Sequence, residues 1–220
     1  MNILIVADEE SRKLWDYYRP GMLDKYELIL SAGDLSPDYL QFLVTMSRAE
    51  VLYIRGNHDD KYEKRPPEGC VCVEDTVYEF KGIRILGLGG TLKYKEGKNT
   101  YTLRDMDRRI RRLRLKLHKA GGFDILLTHA PAYHLNDGED LCHKGFPQFL
   151  GLMEKYRPKY MIHGHMHANY GSGFKRVDTY GETTVINGCG TYELEYPEEF
   201  VNRTGKKKKS TTHHLKVVGL

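Results

Sequence analysis

The chain has no apolar run approaching the roughly 18–20 consecutive residues a membrane-spanning helix needs, so no membrane partner is expected. Cysteine is scarce: four in 220 residues. None forms a zinc-type pair, since Cys70 and Cys72 are one residue apart and Cys142 and Cys189 stand alone. That argues against a disulfide framework or a thiolate metal site, and for reduced thiols in a cytoplasmic protein. Residues 3–6 follow Met1-Asn2 directly, with no basic leader, long apolar segment or small-residue cleavage pattern, so no secretory signal is expected. There is no internal repeat, and no linker before about residue 201. Neither charge sign dominates, because 34 Lys+Arg against 30 Asp+Glu leave +4, and the excess is local. What the chain does have is core. At 40% hydrophobic and 11% aromatic it can bury a substantial interior, which excludes wholesale disorder. One domain is expected over residues 1–200, and residues 201–220, with lysines at 206–209, read as a basic tail.

Short apolar runs alternate with helical patterns through the first third. Residues 3–6, 28–30 and 51–54 read as buried strands, and residues 9–19 as a helix ended by Pro20-Gly21. Ser36-Pro37-Asp38 is a helix start, with an N-cap serine, proline at the first helical position and an acid in the first turn. Such alternation implies βαβ units and largely parallel strands, with polar residues just past the strand ends, where open α/β sheets place their sites. Residues 77–80 and 83–88 around Lys81-Gly82 read as a hairpin, as do 174–177 and 183–186 around Tyr180-Gly181. Residues 102–119 form a strong helix pattern. Thr102 and Asp105 have the spacing of a capping box, and Leu103, Met106, Ile110, Leu113 and Leu117 make an apolar seam. A strand follows at 125–127, then a helix at about 146–156 and a strand at 160–162.

Five polar clusters sit at strand ends: Asp8-Glu9-Glu10, Gly33-Asp34, Gly56-Asn57-His58-Asp59, Thr128-His129 and Gly164-His165-Met166-His167. Carboxylate, imidazole and amide oxygen together suit Mn, Fe, Zn, Co or Ni. His165 and His167 alternate on an extended backbone, so both rings can approach one cluster. Glycines at 33, 56, 164 and 173 permit tight turns and close backbone approach. Two metals roughly 3.5–4 Å apart can share one carboxylate, generate hydroxide at neutral pH and clamp a phosphoryl group for in-line displacement.

The order D-x-[H/E], GD, GNHD, H, GHxH over residues 8–167 resembles the calcineurin-like metallophosphoesterase superfamily. GD alone is uninformative; GNHD followed by GHxH, in order and at strand ends, is highly specific. The resemblance implies an α/β/β/α four-layer sandwich with a dinuclear site at its top and hydrolysis of a phosphoester by a metal-bridging hydroxide. It implies that Asp8, Asp34 and His167 bind one metal and that Asn57, His129 and His165 bind the other, with Asp34 bridging. His58 would serve the leaving oxygen as general acid or stabilise the transition state, and Asp59 would orient His58 or support the shell around it. Where the family has a histidine two residues after the first aspartate, this chain has Glu10. As a ligand Glu10 would favour harder metals such as Mn; alternatively it points away and leaves the first metal weakly held.

No appended substrate domain is visible in the sequence, which favours a compact substrate: a nucleotide or another small phosphodiester or phosphomonoester. A catalytically weak scaffold that keeps the fold is the rival reading, motivated by Glu10. A nuclease is another. It would use Arg104, Arg108, Arg109, Arg111, Arg112, Arg114, Lys116 and Lys119 on the helix 102–119 as a nucleic-acid docking face, which is otherwise a solvated surface. His134 and His143, in the loop after His129, are candidates for substrate contact, and Arg55 for a phosphate contact or a structural pair. Oligomeric state is not legible.

Overall fold

The computed structural model describes residues 1–167 and 174–197. The elements run β1 (Asn2–Ala7), β2 (Leu28–Ser31), α1 (Pro37–Met46), β3 (Glu50–Tyr53), β4 (Val71–Cys72), β5 (Thr76–Phe80) and β6 (Ile83–Leu88). They continue with β7 (Thr91–Leu92), β8 (Thr100–Tyr101), α2 (Leu103–Ala120), β9 (Ile125–Thr128), α3 (Pro147–Tyr156) and β10 (Tyr160–His163), then β11 (Val177–Tyr180), β12 (Thr183–Asn187) and β13 (Gly190–Glu195). One sheet has the order β13-β1-β2-β3-β4, parallel except for β13 at its edge. The other has the order β11-β12-β10-β9-β6-β5, with four parallel central strands and an antiparallel strand at each edge.

The central strands are apolar on both faces because each sheet is covered on both there. Ile3, Ile5, Leu28, Leu30 and Leu52 from the first sheet meet Ile85, Ile125, Leu127, Ile162 and Ile186 from the second in a shared core. The alternate residues Leu4, Val6, Ile29 and Val51 pack under Tyr39, Leu40 and Leu43 of α1. On the far side Leu86, Leu126, Met161 and Val185 pack under Met106, Leu113 and Leu117 of α2 and Phe149, Leu152 and Met153 of α3. The period-2 alternation of the strands thus builds the α/β/β/α four-layer sandwich.

Local signals operate as expected at two helix starts. Ser36 Oγ accepts from Tyr39 N at 3.1 Å, and Thr102 and Asp105 form a reciprocal capping box. Gly121 ends α2 in the left-handed region at φ 68°. Three expectations need correction. Residues 9–19 form a run of turns rather than a helix: Trp15 stacks on Tyr39 and Phe42 of α1, and this tertiary packing overrides the local pattern. The strand placed at 174–177 lies at Val177–Tyr180, because its register with β12 is set by the turn beginning at Gly181. β13 has no counterpart among the expected strands; it is a half-exposed edge strand whose polar alternation is recruited by pairing with β1. None of the four cysteines is in a disulfide. Gly173 and the tail 201–220 lie outside the described residues.

Arg109 also departs from expectation. It does not belong to the solvent face of α2 but is buried, at 8% side-chain exposure. Its guanidinium donates to Glu74 Oε1 (2.9 Å), Asp75 Oδ1 (2.9 Å) and the Gly89 carbonyl (2.8 Å), and lies 4.1 Å over the Tyr101 ring. Glu74 is also approached by Arg55 at 3.7 Å, which gives Arg55 its structural pair.

Candidate metal centre

The C-terminal ends of β1, β2 and β3 in one sheet meet those of β9 and β10 in the other. Asp8 (φ 63°), Asp34 (φ 58°) and His165 (φ 68°) all adopt left-handed backbone there. Each such residue costs on the order of 1–3 kcal/mol, a cost typically met at functional sites. Glycine makes the close approach workable. A Cβ on Gly56 would overlap the Asp34 carboxylate, and one on Gly164 would come within 2.8 Å of Asp8 Oδ2.

His129 is fully buried, and its Nδ1 lies 2.7 Å from the Ala32 carbonyl, which requires the proton on Nδ1. In the neutral ring Nε2 then carries a lone pair. It faces Asn57 Oδ1 at 3.1 Å and Asp34 Oδ2 at 3.3 Å, both electron-pair donors. Such a convergence is satisfied either by a cation or by a second proton on the ring. Ligands bound at about 2.1 Å and at right angles would be about 3.0 Å apart, so the spacing fits a cation. Without a cation the ring is driven to take a second proton. Burial opposes that charge, but the Asp34 carboxylate outweighs burial, helped by Asp8 and the Ala32 carbonyl, and pushes His129 up to about 9. Burial likewise opposes ionisation of Asp34, but His129 and the hydrogen bond from His58 N hold its carboxyl well below the usual range.

Asp34, His129 and His165 each bring a donor atom within 4.8 Å of the others'. His165 Nε2 lies 2.7 Å from the Cys142 carbonyl, and burial followed by the neighbouring His129 lowers this ring to about 3. It is therefore neutral, donating from Nε2 and keeping a lone pair on Nδ1. Asp8 accepts from His165 N with both oxygens at 2.9 Å, and burial raises its pKa.

His58 is exposed beside this group, its backbone N–H donating to Asp34 Oδ1 at 2.8 Å. Asp59 makes no hydrogen bond to the His58 ring among the described residues. Its Oδ2 accepts from Asp34 N (2.7 Å) and Gly56 N (2.8 Å), tying together the two turns that carry Asp34 and Asn57. Burial and then Asp34 raise the Asp59 carboxyl to about 6, and its Oδ1 has no hydrogen-bond partner among the described residues.

Glu10 is not brought to the cluster. It is exposed, and its Oε1 accepts from Ser36 N at 3.1 Å, at the start of α1. Its neighbour Glu9 faces His167 instead, with Oε1 3.3 Å from Nδ1, and Cys189 completes a second set of donors within 4.8 Å of one another. Register with the motif pointed to Glu10; the left-handed turn at Asp8 reversed which acid faces inward. Tyr94 was also missed, since nothing in the sequence links residue 94 to residue 57. Its OH accepts from Asn57 Nδ2 at 3.3 Å, which fixes the amide so that Oδ1 faces His129. His143 lies over the site, its ring 5.1 Å from that of His165 and its Nδ1 2.8 Å from Asp140. The His134 ring instead lies 3.9 Å from that of Tyr133, tilted by 47°.

The family model described as calcineurin-like phosphoesterase matches residues 7–169. No curated protein matches the sequence. Among solved structures, phosphopantetheinyl hydrolase from Mycobacterium tuberculosis is similar at 16% identity and a TM-score of 0.57, over 92% of each chain. Protein TT1561 of Thermus thermophilus is similar at 15% identity and a TM-score of 0.55, over 86% of this chain and 89% of that one. At these identities the two structures speak for the fold alone, the two-sheet sandwich of the metallo-dependent phosphatases. Members of the matched family are generally divalent-metal-dependent hydrolases. The match covers most of the chain, from the end of β1 just before Asp8 to the segment bearing His165 and His167, and the chain belongs to the calcineurin-like phosphoesterase family.

Proposed function

We propose that the protein is a dinuclear metal-dependent phosphoesterase acting on a small phosphodiester or phosphomonoester. The observation that carries this reading is the convergence of Asp34 Oδ2 and Asn57 Oδ1 within 3.3 Å of His129 Nε2, the buried ring nitrogen. Asn57, His129 and His165 would hold one cation, Asp8 and His167 the other, with Asp34 shared. Two divalent cations there would neutralise charge on the phosphoryl oxygens and lower the pKa of a coordinated water. Imidazole, carboxylate and amide donors suit Mn, Fe, Zn, Co or Ni.

The remaining work falls to the chain's own groups. His58, exposed and anchored through its backbone to Asp34, presents its ring to the leaving oxygen and donates a proton there. Asp59 acts through the backbone, holding the Asp34 and Gly56 turns in register. His143 covers the site from the loop and shields it from water.

The test is hydrolysis of bis-p-nitrophenyl phosphate and p-nitrophenyl phosphate with added Mn, Ni, Co or Zn. Turnover with at least one metal is expected, and the diester/monoester ratio assigns the substrate class. No turnover on either ester with any metal would reject the enzyme reading in favour of a scaffold.

The ligand shell yields two smaller predictions. Tyr94→Phe frees the Asn57 amide to rotate and should weaken metal binding by about 10–100-fold, measured by metal titration; unchanged affinity would remove Tyr94 from the shell. Glu10→Ala should leave metal stoichiometry intact and cost about 0.5–1 kcal/mol through the start of α1, whereas Glu9→Ala should lower metal occupancy beside His167. Loss of metal in the Glu10 variant alone would restore Glu10 as the ligand.

A further inference from the structure

The outer face of α2 carries more positive charge than its own acids balance. Eight of the chain's 34 Lys+Arg and two of its 30 Asp+Glu lie between Leu103 and Ala120, so this helix holds +6 and the rest of the chain sums to −2. Arg109 is buried against Glu74 and Asp75, and Lys116 donates to the Asp75 carbonyl at 3.0 Å. Arg114 points to one side, and Arg104, Arg108, Arg111, Arg112 and Lys119 remain, with Leu115 among them, spaced i, i+4, i+7, i+8, i+15 and i+11, and all are exposed. They fall on one stripe opposite the seam of Met106, Leu113 and Leu117. At 1.5 Å per residue the stripe is about 22 Å long.

The two acids of the helix flank this stripe, and Asp105 pairs with only one of its arginines. Asp105 closes the capping box with Thr102 and reaches Arg108 at 3.1 Å, and Asp107 accepts from Gln148 at 3.1 Å. Arg104, Arg108, Arg111 and Arg112 line one shallow depression. Like charges at i and i+4 destabilise a helix, so the stripe works against the stability of α2 unless an anion compensates it. Solubility would not require four guanidinium groups, whose forked geometry matches phosphate oxygens. No aromatic ring lies on the stripe, so it has no platform for stacking unpaired bases. α2 joins the parallel strands β6 and β9 and runs opposite to them, which puts Arg104 at the metal-centre end of the sandwich.

We propose that this stripe docks the phosphate backbone of a nucleic-acid duplex without reading its sequence. The proposal is independent of the hydrolytic reading, because docking is measured as binding. The experiment is fluorescence anisotropy of the full chain with labelled DNA and RNA duplexes of about 20 base pairs over a salt series. The wild type should bind with log–log salt slope about −3 to −4, weakening about 100-fold between 50 and 200 mM salt, as expected for four phosphate contacts. A variant carrying Arg104→Glu, Arg108→Glu, Arg111→Glu and Arg112→Glu should lose that binding while keeping its circular dichroism and its turnover of small esters. The same four positions changed to Gln provide the test if the reversal misfolds. Replacing Lys206, Lys207, Lys208 and Lys209 with Ala should leave most of the binding in place. Duplex binding unchanged in the arginine variants, or abolished by the lysine changes alone, would overturn the proposal. So would binding of the wild type to phosphatidylserine vesicles but to neither duplex.

Discussion

Asp34→Asn is expected to reduce phosphoester hydrolysis by about 10³-fold, equivalent to about 4 kcal/mol of transition-state stabilisation, while leaving the protein folded. Asp34 has one oxygen on the His58 N–H and the other 3.3 Å from His129 Nε2, so both oxygens act as acceptors or ligands. The amide keeps the volume but turns one oxygen into a donor, which must face either another N–H or a metal. It also removes the negative charge that a shared ligand contributes. kcat/KM on bis-p-nitrophenyl phosphate, metal stoichiometry and a melting curve, measured together, separate the effects. A variant within tenfold of wild type with full metal occupancy would remove Asp34 from the shared position.

Arg109→Met should destabilise the fold by about 3–5 kcal/mol, because it leaves Glu74 and Asp75 without their shared cation. Glu74 is 9% exposed at its side chain; burial raises its pKa and Arg109 opposes that rise. Arg55, 3.7 Å away, is too distant for a well-made hydrogen bond and cannot replace three donors. For a domain of this size the loss corresponds to a melting temperature about 6–20 °C lower. Arg112→Met, on the exposed stripe of the same helix, should shift stability by no more than about 0.5 kcal/mol. Equal effects from the two substitutions would show that the buried cluster contributes nothing specific.

The contrast between these two arginines marks the limit of sequence reasoning. Both sit in one basic run, and no local pattern separates them. The period of α2 places Arg109 beside the seam, but Glu74 and Asp75, 35 and 34 positions earlier, decide that it is buried. Glu9 and Glu10 make the same point at the metal centre. Adjacent carboxylates are chemically equivalent in sequence, and the left-handed backbone at Asp8 selects which of them faces His167. Residues 9–19, with turns at 12–17, are kept from a helix by Trp15 stacking on α1, a contact formed across the fold.

The chain's local chemistry by itself determined a good deal. Apolar runs of strand length bounded by glycine and polar residues specified most of the strands, and Ser36-Pro37 and Thr102–Asp105 specified two helix starts, because caps and turns are satisfied within a few residues. The ordered polar clusters at the strand ends specified the family, since metal chemistry restricts which donors can occupy those positions. The tertiary structure alone decided that β13 completes the first sheet beside β1, that Tyr94 orients Asn57, and that Asp59 ties two backbone turns together rather than bonding the His58 ring. Each of these depends on residues brought together across the chain or on the direction a side chain takes after a strained turn. Neither has a local signature, because the hydrogen bonds that impose them form only when the two sheets pack.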